Sequence, residues 1–146
     1  MVDLSPEYVI ESTLSVGTIY KFTAPELIET TIPHYFIVVA MEDTDNYLVL
    51  CTTKKDKKIE HFEKNMLDFT CLVYIKPDND NNLTSDTYVN CYDYYTISKS
   101  SLIEKVKSNS FECTGKISLD HFTQIKNGII SNKVNDLPDY LLVYPE

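Results

Sequence analysis

The sequence predicts an α+β or mainly β fold, a strongly curved antiparallel sheet or small barrel with helices at its C-terminal end. Three observations carry this. At least five strand-like runs precede the principal helical pattern, the signals between paired runs are turns and not crossover helices, and the clearest helical periodicity comes last, after Ser118. A chain of 146 residues with 43% hydrophobic content can build its core without disulfides or metal, so one domain spanning residues 1–146 is expected.

The elements follow in order. "LSPEYVIES" suits one or two helical turns, because Ser5 can cap and Pro6 fits the first helical position. "GTIYKFTAP" is a half-alternating strand stopped by Pro25. "HYFIVVAM" and "NYLVLCTT" are apolar, β-branched and aromatic runs flanking the acidic turn "EDTDN", which makes them a buried hairpin. Residues 54–67 are polar and weakly periodic, an excursion with room for a short helix. "FTCLVYI" is the next strand, ended by Pro77 and by "DNDNN", whose side chains favour turns. "DTYVNCYDYYTIS" supplies one more strand, or two kinked near Tyr92 and Asp93. Ser101 and Glu104 have capping-box spacing for a helix over "SLIEKVKS". "FECTGKI" reads as an extended connector. In "SLDHFTQIKNGII", capped by Ser118, the residues Leu119, Phe122, Ile125, Ile129 and Ile130 fall near one face.

Charge and composition exclude several roles. Thirteen Lys+Arg against 22 Asp+Glu give a formal charge of -9, so nucleic acid contact must be local and not spread over the surface. The acidic N-terminus lacks the pattern of a secretory signal, and no run approaches the ~20 apolar residues of a membrane span. A cytoplasmic protein without membrane partners is expected. Cys51, Cys71, Cys91 and Cys113 show no zinc-ligand spacing, and His61 and His121 read as surface residues of helical segments, so neither metal nor cofactor is expected.

Four stretches, "VGTIYKF", "PHYFIVVA", "YLVLCTT", and "TYVNCYDYYTISKSSL" followed by "GKISLDHFTQIKNGI", resemble in order and spacing the MazF/PemK-like toxin family. That resemblance implies an SH3-like barrel with a C-terminal helix, a homodimer, an antitoxin protein as partner, and metal-independent cleavage of single-stranded RNA. It also implies where a site should lie. The family's Arg-Pro motif falls at Pro33-His34, where this chain has no arginine; its Thr-Ser motif falls on Thr52-Thr53; its late Asp-Gln pair falls on Tyr92-Asp93.

RNA cleavage of this kind needs a base for the 2'-hydroxyl, an acid for the leaving 5'-oxygen, and donors or cations around the phosphorane. His34 and Thr53 are the candidate catalytic residues, the imidazole because it exchanges protons near neutral pH. Thr52, Lys54 and Lys55 are candidate phosphate-binding residues, with Lys57 and Lys58 adding charge. Tyr92 and Tyr94 are candidates for stacking on unpaired bases. Each has a plainer reading: His34 as a hydrogen-bonded strand residue, the threonines as strand formers, the lysine run as a solvated loop, the tyrosines as core. Two functions therefore stand side by side, an endoribonuclease and a non-catalytic protein- or RNA-binding module on the same scaffold.

Overall fold

In the computed structural model, which describes residues 4–132 and 135–145, six strands form one antiparallel sheet. They are β1 (Thr18–Phe22), β2 (His34–Met41), β3 (Asp45–Thr52), β4 (Leu72–Ile75), β5 (Thr87–Ser98) and β6 (Glu112–Lys116). Their order across the sheet is β4-β5-β3-β2-β1-β6, so β4 and β6 stand at its two ends and the sheet is a curled half-barrel. Four helices accompany it: α1 (Pro6–Thr13), α2 (Lys55–Lys64), α3 (Lys99–Val106) and α4 (Leu119–Ser131). The expected class, a curved antiparallel sheet with helices, is the one observed.

Bulges cause the curl. Val39 of β2 and Thr114 of β6 are extra residues in their ladders, and residues 91–94 of β5 stand opposite the single Val49 of β3. Such insertions bend a strand and increase its twist. The kink expected near Tyr92 and Asp93 is thus real, and one continuous strand spans it.

Both faces of the sheet are covered, which is why β2 reads as an unbroken apolar run. Ile37, Val49, Val73 and Val89 join Phe62 of α2 and Phe122, Ile125 and Ile129 of α4 in one core. Tyr20, Phe22, Phe36, Val38 and Leu48 join Ile10 of α1 and Leu102 of α3 in another. Burying both faces removes the pressure for alternation.

Local chemistry explains the element ends. Ser5 accepts from the Tyr8 amide at 3.1 Å with Pro6 at the first helical position, as expected, and Ser118 caps α4 through the His121 amide at 3.2 Å. Four expectations need correction. Ser98, not Ser101, caps α3, accepting from the Ser101 amide at 3.1 Å, because β5 runs straight into the helix. "FECTGKI" contains a true strand, β6, since β1 offers it a free edge. Leu119 and Ile130 of α4 are exposed, because the buried stripe runs through Phe122, Ile125, Gly128 and Ile129. His121 is half-buried, with its Nδ1 out of contact with water, and so is not a surface residue.

No helix among the described residues is long and apolar enough to cross a membrane. Nor do they contain a group of three or more His, Cys, Asp or Glu that could hold a metal ion.

Candidate active site

The start of β2 and the end of β3 meet at one rim of the sheet. Lys21 of β1 pairs with Tyr35, and Phe22 with His34. Phe36 pairs with Leu50, and extending that register by two residues sets His34 beside Thr52. Thr52 in turn pairs with Tyr88 of β5.

A cleft of about 240 Å³ opens at this rim, lined by Lys21, Ile32, Pro33, His34, Tyr35, Cys51, Thr52, Thr53, Lys54 and Thr87. Strand alternation assigns Lys21, Tyr35, Cys51 and Thr87 to the face covered by α4, and His34 and Thr52 to the opposite face. The cleft therefore straddles the strand ends, where residues of both faces converge.

Its electrostatics differ from those of the chain as a whole. All 13 basic residues of the protein are lysines, and the cleft lining holds two of them and, among the described residues, no Asp or Glu, although Glu112 of β6 pairs with Lys21 on the side away from Tyr35. Lys21 Nζ lies 5.2 Å from the centre of the Tyr35 ring, a cation–π contact that holds the ammonium over the cleft. Thr52 Oγ1 accepts from the Lys54 amide at 3.1 Å, ordering the turn from β3 into α2. Lys54 is the N-cap of α2 and provides no side-chain cap, while Asp56 in the first turn places a negative charge at the positive end of that helix dipole.

His34 is half-buried, and its Nδ1 lies 3.0 Å from the carbonyl oxygen of Ile32. A carbonyl can only accept, so Nδ1 carries a hydrogen, and in the neutral ring the lone pair is then on Nε2. The imidazole is thereby set up as a proton acceptor at Nε2.

The structure brings together His34, Thr52, Thr53 and Lys54 of the residues singled out in the sequence. It separates the others from them. Lys55 opens α2, exposed and outside the cleft lining. Tyr92 and Tyr94 belong to the β5 bulge opposite Val49, three residues up β3 from Thr52, or roughly 10 Å along the strand. There Asn132 Nδ2 donates to the Tyr92 carbonyl at 2.6 Å and the Tyr94 hydroxyl donates to Asp136. Both tyrosines pack against the core. Lys21, Tyr35 and Thr87 are not singled out by the sequence, because they reach the cleft only through the pairing of separate strands.

Cys51, Cys71 and Cys91 are buried, and burial pushes their thiols up, which disfavours the nucleophilic thiolate. Cys113 is exposed on β6 and is not part of the cleft lining.

The sequence matches no protein-family model and no curated protein. Among solved structures it is similar to an endoribonuclease from a mycobacterial species, with a TM-score of 0.54 at 14% sequence identity, covering 86% of this chain and 96% of that one. At that identity the likeness establishes a shared fold.

Proposed function

We propose that this chain is a metal-independent endoribonuclease of the toxin type, acting on single-stranded RNA at the His34 cleft. The observation that carries the reading is the cleft itself: on a chain of formal charge -9 its lining, among the described residues, has no carboxylate, and it combines two lysines with an imidazole whose neutral form, bonded through Nδ1 to the Ile32 carbonyl, has its lone pair on Nε2. The fold shared with a mycobacterial endoribonuclease supports it.

In this mechanism Nε2 of His34 takes the proton of the 2'-hydroxyl and the 2'-oxygen attacks the adjacent phosphorus. The bond from phosphorus to the 5'-oxygen breaks, leaving a 2',3'-cyclic phosphate, and the departing oxygen takes a proton from Lys54 or from water. Lys21, Lys54 and the Thr53 hydroxyl hold the phosphate oxygens while negative charge develops on them. Lysine ammoniums are flexible point charges without the bidentate fork of arginine, so a slow enzyme is expected. The same reading makes the chain the toxin of a toxin–antitoxin pair, a cytoplasmic homodimer inhibited by an antitoxin protein.

Incubation of the pure protein with single-stranded RNA in the presence of a chelator tests the reaction. Cleavage to cyclic-phosphate ends that is lost in His34→Ala and retained in His61→Ala supports it. Intact RNA at high enzyme concentration, with no growth arrest on expression, refutes it. The absence of arginine from the whole chain favours a second reading, a binding module that holds RNA or protein without cutting. Its signature is RNA binding that survives His34→Ala with no cleavage by either form.

A further inference from the structure

One row of side chains runs across the sheet away from the cleft. Thr52 pairs with Tyr88, and Tyr88 pairs with Tyr74 of β4. Directly opposed residues of neighbouring strands share a face, so Thr52, Tyr88 and Tyr74 stand in line, with His34 at the head of the line by the register extended above. Adjacent strands are ~4.8 Å apart, which puts Tyr88 roughly 10 Å and Tyr74 roughly 14 Å from the His34 backbone.

The two rings form a pair, with centroids 5.4 Å apart and planes inclined by 33°. Neither belongs to the core residues on either face of the sheet. Tyr74 is 44% exposed, on the strand that ends the sheet. Its hydroxyl donates to Asp86 Oδ1 at 3.0 Å, which fixes the ring without covering it. Exposed Tyr74 and half-buried Tyr88 thus form an aromatic pair that the core does not use and that offers a surface to a partner. The carboxylate of Asp86 argues against a phosphate at that end, whereas the ring faces suit the flat, uncharged surface of a nucleobase.

We propose that Tyr88 and Tyr74 are a base-stacking subsite for single-stranded RNA. The phosphate next to the scissile bond lies in the lysine cleft, and unpaired bases on one side of it stack on the faces of this tilted ring pair. This rests on the assignment of RNA as substrate above, and it differs from a role for Tyr92 and Tyr94, which pack on the core. Stacking tolerates any base, so the subsite contributes affinity and direction of binding and leaves sequence choice to other contacts.

The test uses a short fluorescein-labelled RNA carrying a 2'-deoxy residue at the cleavage position, read by anisotropy at several salt concentrations. Wild-type protein should bind an intact oligonucleotide roughly tenfold or more tighter than one with two abasic positions beside the scissile phosphate. Tyr74→Leu/Tyr88→Leu should lose that preference and keep the salt dependence, since the phosphate contacts are untouched. Tyr74→Phe keeps the ring and should keep the preference. Equal binding of intact and abasic RNA by wild-type protein overturns the subsite alone. Absence of any RNA binding overturns the substrate assignment with it, and so does Tyr74→Leu weakening capture of a partner protein while RNA goes unbound, which would mark the free β4 edge as a strand-addition surface.

Discussion

Replacing Gly115 with alanine probes the contact that fixes the end of the half-barrel opposite β4. The loop after β4 folds onto β6: Asn81, fully buried, accepts from the Asp78 and Leu83 amides through Oδ1 and donates to the Lys76 carbonyl through Nδ2. Thus closed on itself, the loop receives the Lys116 amide on the Asp80 carbonyl at 3.0 Å and donates from Asn82 Nδ2 to the Thr114 carbonyl at 2.9 Å. A Cβ on Gly115 would lie 2.6 Å from the Asn81 carbonyl oxygen and 2.7 Å from its carbon, and closer still to the Asp80 oxygen. These are backbone atoms of a cross-linked loop, so relief requires the whole loop to lift.

Overpacking of this sort costs roughly 1–3 kcal/mol, and weakening two hydrogen bonds adds about 0.5–1.5 kcal/mol each. Allowing for partial relaxation, Gly115→Ala should destabilise by about 2–4 kcal/mol. For 146 residues the unfolding entropy is about 0.3 kcal/mol/K, so Tm should fall by roughly 6–13 °C. Urea denaturation and calorimetry measure both. Asn82→Ala acts on the same contact, so the double variant should lose less than the sum of the singles. A change within 0.5 kcal/mol for Gly115→Ala would refute the account of the loop as a rigid clasp.

Three further outcomes are expected. Lys21→Met should weaken RNA binding and lower the slope of log K against log salt by about 0.7, one phosphate contact, in a filter-binding titration. Ser98→Ala should destabilise by about 1 kcal/mol through loss of the α3 cap, whereas Ser101→Ala should be near neutral in urea denaturation. The Tyr47 phenol is pushed up to about 12, first by its hydrogen bond to Glu42 and then by burial and nearby negative charge. Because its folded value is raised, the stability it contributes is present below about pH 10 and is lost as pH rises toward 12. A difference titration between wild type and Tyr47→Phe should show that late step, and Glu42→Gln should move it back toward 10.0.

Local order was legible in the chain wherever a few neighbouring residues decide the outcome. Ser5-Pro6 and Ser118 start their helices as read, and "HYFIVVAM" is a strand from its first residue to its last. The cap of α3 was misassigned because Ser98 and Ser101 compete for one helix start, and only the point where β5 stops selects between them. The candidate site was half legible. His34, Thr52, Thr53 and Lys54 stand at the two ends of one hairpin, so hairpin pairing alone brings them together. Lys21 and Thr87 come from β1 and β5, and no local signal ties them to that rim.

What the amino-acid order determined by itself was the helices and five of the six strands, the hairpin, the acidic balance and the absence of arginine, since these depend on propensity, capping and composition. Tertiary structure alone decided that "FECTGKI" pairs with β1, that residues 91–94 bulge away from the cleft, and that Tyr74, Tyr88 and Thr52 form one row. Those outcomes depend on register between strands distant in sequence. A shift of one residue reverses every side chain's face, so register is settled by the packing of both faces at once and not by any single segment.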